Sequence, residues 1–116
     1  MVGTGQIEWF EQLPCSVTVC DKKYKILYMN DRAAKVTSKE GGKALIGKNL
    51  MDCHPPRAQV KLKKLMVSGR PNAYTTEKSG VKKLVYQCHW KKGGRVGGLV
   101  EFSFELPRDI PNAVRT

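Results

Sequence analysis

A short apolar run that ends directly in helix-forming residues places the strongest constraint on the fold of this chain. In residues 25–34, KILYMNDRAA, the apolar side chains Ile26 and Tyr28 alternate with the apolar side chains Leu27 and Met29, as in a strand that is covered on both faces. Asn30 or Asp31 then supplies a side-chain oxygen that can accept hydrogen bonds from the free backbone N–H groups of a first helical turn. The segment therefore predicts a strand that passes directly into a helix, and such a junction lies at the edge of a pocket.

The length and composition are those of one globular domain. A chain of 116 residues buries roughly 60–70 % of its unfolded surface, so we expect a genuine core without disulfides or metals. No apolar run approaches the roughly 20 residues that a membrane helix needs, and the first residues lack the pattern of a secretion signal. We therefore expect a cytoplasmic protein that has no membrane segment, and we expect its four cysteines to be reduced.

The formal net charge of +11 is the feature of the composition that suggests an anionic partner such as nucleic acid. The basic residues are nevertheless dispersed over turns and over the outside of one helix. They are not accompanied by a helix-turn-helix, a zinc-finger spacing or an aromatic RNA-binding signature. The pattern therefore does not favour nucleic acid as a partner, and the charge is expected to promote solubility.

The apolar periodicity and the turn residues predict a leading amphipathic helix with its cap at 1–14, a domain at 15–107 and a C-terminal tail at 108–116. Within the domain we predict strands at 15–21 and 24–29, a helix at 31–37, a polar loop at 38–43, helical turns at 44–52, a helix at 55–69, and strands at 72–78, 83–91 and 95–106. Gly97 and Gly98 predict a β-bulge in the last strand. The order of elements predicts an α+β fold, a five-stranded antiparallel sheet with short helices packed across one face.

Four segments of the chain resemble the PAS domain family. They are SVTVCDKKYKILYMN, NDRAA, LIGKNLMDCHPP and GGLVEFSFEL, in that order and covering nearly the whole chain. The CHPP segment and the strand YQCHW are similar to those of small stand-alone PAS sensor proteins of bacteria and archaea. The resemblance implies the PAS fold and a role in sensing rather than catalysis.

Members of the PAS family hold haem, flavin, organic acids or fatty acids between the sheet and the helices, or use the fold only to pair with other proteins. NDRAA lacks the cysteine of the NCRFL-like motif found in flavin photosensors of this family. The predicted helix at 55–69 contains no histidine that would bind haem in the manner of haem-binding members. The identity of any cofactor therefore stays open.

Two Cys-His pairs, Cys53-His54 and Cys88-His89, concentrate the soft ligands of the chain. A zinc site of Cys₂His₂ type would need both pairs to converge. Adjacent strand residues point to opposite faces, however, so Cys88 and His89 do not both reach one pocket. We therefore expect no metal site, and a buried cysteine is more often a small apolar filler.

His54 stands just before the predicted helix at 55–69 and beside the expected ligand cavity. Its ring is either a polar anchor for a ligand, for example a carboxylate, or a structural group that holds the bend before the two prolines. The further residues predicted to bind a ligand are Tyr28, Met51, Met66, Tyr86 and Cys88. The same side chains would also serve to fill a closed core.

The main hypothesis is a sensor domain that binds a small ligand and signals in trans through protein–protein contacts to an unidentified partner. The alternative is a constitutive dimerisation or docking module with a filled core. A homodimer is expected in both cases, and the prolines of the terminal segment PRDIPNAVRT oppose a continuous helix to an attached effector. No paired carboxylates or nucleophile with a base are evident, so we expect no enzymatic activity.

Overall fold

The computed structural model describes residues 8–116. Its strands are β1 (Ser16–Asp21), β2 (Ile26–Met29), β3 (Asn72–Lys78), β4 (Val81–Lys92) and β5 (Arg95–Leu106), and its α-helices are α1 (Asp31–Val36) and α2 (Pro56–Ser68). Short 3₁₀ helices lie at Ser38–Glu40, Gly42–Leu45 and Leu50–Cys53. The predicted order of elements is confirmed, although the segment expected as a polar loop contains 3₁₀ turns, which Gly41 and Gly42 permit through their positive φ angles.

The five strands form one antiparallel sheet in the order β2-β1-β5-β4-β3. The α-helices and 3₁₀ helices that pack on the sheet lie across one face, which we call the inner face; the opposite face is the outer face. This arrangement confirms the predicted α+β architecture. The long segment after α1 also pairs with the start of the β2 edge, through a bridge between Lys25 and Asn49 and hydrogen bonds to Ile26, so this part of the edge is not free to pair with another strand.

Asn30 forms the junction between β2 and α1. Its Oδ1 accepts hydrogen bonds from the backbone N–H groups of Ala33 and Val17, at 3.0 Å each. Its Nδ2 donates to the carbonyls of Phe10 and Cys15, at 2.9 Å each. One fully buried side chain therefore caps α1 and also ties the segment before β1 to the sheet.

Helix α2 covers the inner face of the sheet. It begins at Pro56, where a missing N–H costs nothing, and it ends at Gly69, whose φ of 71° closes the helix through a hydrogen bond to Leu65. Leu62 and Leu65 form a core cluster with Cys20 and Leu99 of the sheet. The lysines of this helix are exposed, as its amphipathic pattern predicts.

A second cluster lies between the β2–α1 junction and the 3₁₀ helices. It contains Ile26, Met29, Ala33 and Leu45. The two clusters meet at Leu50, which packs against both. The sheet and the helices therefore leave a space between two small cores rather than one continuous core.

The predicted bulge in β5 is present. Trp90 pairs with Gly98 and Lys91 pairs with Val96, so Gly97 is the extra residue. The Trp90 ring lies against Gly97, and its Nε1 donates to the carbonyl of Cys20 at 2.9 Å. The bulge thus lets a large ring fix the end of β4 to β1.

The helix predicted within residues 1–14 falls partly on residues 1–7, which lie outside the described range. Within that range, Trp9–Gln12 form a turn, closed by a hydrogen bond from Glu11 N to Glu8 O, rather than a helix. Phe10 contacts Tyr28 edge to face on the outer face of the sheet. Residues 110–116 have no helix or strand, and none of the helices in residues 8–116 is long and apolar enough to cross a membrane.

Candidate ligand-binding site

A cavity of about 240 Å³ lies between the inner face of the sheet and the helices. Its floor is formed by side chains of β1, β2, β4 and β5, and its roof by the 3₁₀ helices and α2. The principal lining residues are Thr18, Cys20, Ile26, Met29, Gln87, Leu99 and Glu101 on the floor and Thr37, Glu40, Leu45, Leu50, Cys53, His54 and Leu62 on the roof. The walls are thus mostly apolar, with a small set of polar groups, as in small-molecule sites.

Thr18, Glu101 and Gln87 of the floor lie in one row on the inner face, and Asn72 of β3 extends this row beyond the cavity lining. Register pairs Thr18 with Glu101, Glu101 with Gln87, and Gln87 with Asn72. Asn72 Nδ2 donates to Gln87 Oε1 at 2.9 Å, and Gln87 Nε2 donates to Glu101 Oε2 at 2.7 Å. We call these four residues the polar row; its hydrogen bonds fix the orientation of the Gln87 amide and hold the Glu101 carboxylate in place.

His54 lines the cavity where α2 begins. Its Nδ1 lies 2.8 Å from the carbonyl oxygen of Leu50. Because a carbonyl oxygen only accepts, Nδ1 carries the proton, and in the neutral ring Nε2 then carries the lone pair. Gln59 donates to the carbonyls of Met51 and His54, so the bend before α2 is held from both sides. His54 therefore has the structural role considered above and also a ring nitrogen that can accept a hydrogen bond.

The charge of the cavity lining differs in sign from that of the whole chain. Glu101 lies half-buried on the floor, and Glu40 is exposed at the rim. Within residues 8–116, no lysine or arginine side chain is part of the lining. The cavity is therefore an acidic or neutral site in a chain whose formal net charge is +11.

The cysteine in the floor is a neutral group. Burial raises the pKa of the Cys20 thiol above its ordinary value of 9.0, so the thiol stays protonated at neutral pH. Cys20 is 2 % exposed and packs with Leu62, Leu65 and Leu99. It acts here as a small apolar residue.

Of the six residues predicted to bind a ligand, only His54 lines this cavity. Met51 and Met66 are half-buried and pack against the core cluster of α2 and the sheet. Tyr28 lies on the outer face, opposite Val19, where its hydroxyl donates to Glu11 at 2.8 Å. Tyr86 and Cys88 also lie on the outer face, because their neighbours Val85 and Gln87 occupy the inner face.

The residues that sequence reasoning missed are those of the polar row. Strand alternation groups Gln87 with Val85 and His89, and Glu101 with Leu99 and Ser103. Tyr86 and Cys88, which are predicted above to bind a ligand, belong to the more apolar set of β4, and in the structure this set lies on the outer face. Two polar side chains in the middle of long apolar strands were the signal that would have identified the inner face.

The two Cys-His pairs lie apart. His54 precedes α2, whereas His89 Nε2 lies 2.9 Å from the carbonyl of Met66 at the other end of this helix. The 13 residues of α2 span about 20 Å, so the pairs do not converge. No group of three or more His, Cys, Asp or Glu side chains within residues 8–116 is placed to hold a metal ion.

Similar solved structures share this architecture. The C-terminal domain of a Streptococcus mutans protein is 21 % identical, with a TM-score of 0.71 and 90 % of each chain covered. Vibrio cholerae VqmA, determined as a dimer and also bound to DPO, is 17 % identical in the dimer structure, with a TM-score of 0.69; 92 % of this chain and 52 % of VqmA are covered, so the chain spans about half the length of VqmA. A sensory box sensor histidine kinase from Vibrio cholerae is 13 % identical, with a TM-score of 0.64 and with 86 % of this chain and 88 % of that chain covered.

At these identities the structural likeness shows the fold alone. No curated protein sequence matches the chain. The PAS fold family, by contrast, matches residues 10–75, which are more than half of the sequence. This match covers the strand–cap–helix junction, the 3₁₀ helices and α2, and it begins at the turn that Asn30 anchors. The chain belongs to the PAS fold family.

Proposed function

We propose that this chain is a sensory domain that binds a small ligand in the cavity between sheet and helices and signals in trans through protein–protein contacts. The polar row is the observation that carries the proposal. In a closed core of this size, apolar side chains would be favoured there, because burial of polar groups costs free energy even when they are paired. An ordered row of amide and carboxylate groups on the floor of a cavity is typical of a site that orients a ligand. The proposal is therefore for binding and not for catalysis.

The size of the cavity favours a small ligand. Its volume of about 240 Å³ lies below the range of roughly 300–1,000 Å³ that is typical of sites for drug-sized molecules. A single small ring with its substituents fits this space better than a porphyrin or an isoalloxazine. Membership in the PAS family supports a sensory role, and VqmA, a protein of similar fold, has been determined bound to DPO.

The outer face is the surface through which we propose that occupancy is transmitted. Its central part is uncharged: Val19, Val100 and Cys88 form one row across the sheet. The next rows contain Val17, Phe102, Tyr86, Phe104 and Leu84. A second copy of the chain is the proposed partner, because two such faces bury apolar surface without bringing the positive charges of two chains into direct contact.

Native mass spectrometry and an absorbance spectrum of freshly purified protein test the ligand. We expect an added mass that is lost on denaturation. Thr18→Phe places a ring in the cavity and should abolish that mass, whereas Thr76→Phe, the same change at an exposed position of β3, should retain it. Retention of the ligand by a folded Thr18→Phe variant would show that the cavity is not the binding site.

The alternative function, a constitutive dimerisation or docking module, is favoured by the apolar rows of the outer face alone. It predicts a polypeptide without added mass after gentle purification and after a screen of small molecules. It also predicts that Thr18→Phe forms the same dimer as the wild type. The two functions therefore differ in their dependence on the cavity and not in their dependence on the outer face.

A further inference from the structure

The cavity presents hydrogen-bond acceptors on several sides. The Glu101 carboxylate accepts one hydrogen bond, from Gln87 at Oε2. Because an ionised carboxylate offers about four acceptor sites, it can accept further hydrogen bonds from a ligand. The Glu40 carboxylate at the rim is an acceptor, and in neutral His54 so is Nε2. The Thr18 hydroxyl can donate or accept, whereas the Thr37 hydroxyl donates to the carbonyl of Ala33 at 2.8 Å and is left as an acceptor for a ligand. A ligand that fills this space without leaving these groups unpaired must donate hydrogen bonds.

From this geometry we infer that the ligand is a small neutral or cationic molecule with N–H donors, and that Glu101 is the residue that selects it. The inference rests on the proposed function and specifies the chemical class of its ligand. A carboxylate ligand, which His54 alone would have suggested, meets Glu101 on the floor and Glu40 at the rim. It also meets no lysine or arginine among the lining side chains of residues 8–116.

The overall charge of the protein makes this inference sharply testable. Exposed cations such as Lys63, Lys91 and Lys92 do not line the cavity, whereas Arg57 and Lys61 line a neighbouring cleft that shares His54, Leu62 and Gln87 with it. A net charge of +11 attracts anions to the surface as a whole. Preference for a cation in the cavity must therefore arise from the local groups and not from the general field. The net charge of the chain predicts that an anion binds more tightly than a cation, whereas the groups that line the cavity predict the reverse.

Three probes of nearly the same size and shape separate these predictions: benzamidinium, neutral benzamide and benzoate. Benzamidinium presents two parallel N–H donors that match a carboxylate, as Glu101 requires. We expect titrations followed by amide ¹H–¹⁵N spectra to show chemical-shift changes at Gln87, Leu99 and Glu101. Benzamidinium should bind at least about tenfold more tightly than benzoate, and the affinity of benzamide should lie between these two.

Glu101→Gln is the matched variant, because it keeps an oxygen for Gln87 but removes the charge. It should reduce the preference for benzamidinium over benzoate by at least about tenfold. Glu77→Gln makes the same change in net charge on an exposed position of β3 and should leave the preference unchanged. The ranking of the three probes on the wild-type protein stands whether or not the Glu101 variant folds.

Each contrary outcome has a separate meaning. Benzoate bound in the cavity as tightly as benzamidinium would overturn the ligand class while supporting the proposed function. A folded Glu101→Gln variant with unchanged preference would overturn the role of Glu101. No shift at the cavity amides with any of the three probes would overturn the inference, and absence of a ligand in the mass spectra as well would overturn the proposed function itself.

Discussion

Asn30 shows how much of this fold depends on one side chain. It is 0 % exposed, and its amide serves four backbone groups that belong to three different segments of the chain. Two of these groups are carbonyl acceptors and two are N–H donors, so both ends of the amide are needed. The requirement for Asn at position 30 therefore comes from these four hydrogen bonds and not from its propensity for a helix cap alone.

Asn30→Asp should lower the free energy of unfolding by about 3–5 kcal/mol. A carboxylate cannot donate to the carbonyls of Phe10 and Cys15, and it would bury a charge that faces two oxygens. Urea denaturation followed by circular dichroism measures the change. Asn112→Asp, in the exposed C-terminal tail, is the control and should be neutral; a loss below about 1 kcal/mol for Asn30→Asp would contradict the assigned role.

Glu11 links the leading turn to two other elements. It accepts hydrogen bonds from Lys43 Nζ and from Tyr28 Oη, at 2.8 Å each. The hydrogen bond from Lys43, followed by that from Tyr28, lowers the pKa of the Glu11 carboxyl below its ordinary value of 4.5. Burial and the neighbouring Glu11 carboxylate raise the pKa of Tyr28, so the phenol remains a donor throughout the neutral range.

This contact predicts a small acid-dependent loss of stability. Because the folded-state pKa of Glu11 is depressed, its contribution is present above the unfolded value of 4.5 and is lost as pH falls through the folded value. The stability difference between wild type and Glu11→Gln should therefore be at most about 1 kcal/mol at neutral pH and should shrink at about pH 3. Urea titrations at both pH values measure it, with Asp109→Asn of the tail as control; a difference that does not shrink would contradict the linkage.

At the scale of elements, β5 organises the sheet because it pairs with both β1 and β4. The bulge at Gly97 allows β4 and β5 to continue past Trp90, and Gly98 lets β1 approach closely. A Cβ at Gly98 would overlap the carbonyl oxygen of Cys20, and its φ of 157° is one that other residues rarely adopt. Two adjacent glycines therefore serve different purposes, one as the extra residue and one for close approach.

Gly98→Ala should destabilise the protein by at least about 3 kcal/mol or prevent folding, because the clash is with backbone that cannot move independently. Gly93→Ala is the matched control: its φ is also positive, at 58°, but a Cβ there meets no atom within 4 Å. That change should cost only about 1–2 kcal/mol. Thermal and urea denaturation compare the two, and equal losses would show that close approach at Gly98 is not the limiting contact.

At the scale of the whole molecule, the sheet separates two surfaces of different character. The inner face carries the polar row and the cavity, whereas the outer face carries uncharged rows rich in aromatic residues. Phe102 and Phe104 lie nearly parallel on the outer face, with ring centroids 6.1 Å apart, and Phe104 remains 37 % exposed. The proposed signal passes from the ligand on one face to a partner on the other through the strands that form both faces.

Phe104→Glu should weaken the proposed dimer at least about tenfold, since it places a charge in the apolar surface between two copies. Sedimentation equilibrium measures the association. Val114→Glu, in the exposed tail, introduces the same charge elsewhere and should leave the association unchanged. A wild-type chain that is monomeric at high concentration, or a Phe104→Glu variant that associates normally, would exclude this face as the interface.

Periodicity and turn residues along the chain were sufficient for the strands and for α1 and α2, but not for Trp9–Gln12, which form a turn where a helix was predicted. Alternation with a period of two, Gly at turns and Pro at the start of α2 predicted five strands, two helices and the bulge, because each depends on neighbouring residues only. The same alternation correctly grouped Gln87 with Val85 and Glu101 with Leu99. Which group faces the helices was beyond local information, because both sets of β4 and β5 contain apolar residues.

That choice is made by contacts between residues far apart in the sequence. The pairing of β5 between β1 and β4 aligns Thr18, Glu101, Gln87 and Asn72, and the packing of α2 on Cys20 and Leu99 makes their side of the sheet the inner one. Tyr28, Tyr86 and Cys88 lie on the outer face for the same reason. Local sequence determines which side chains share a face. The packing of α2 on one face of the sheet and of the turn at Trp9–Gln12 on the other determines which face encloses the cavity.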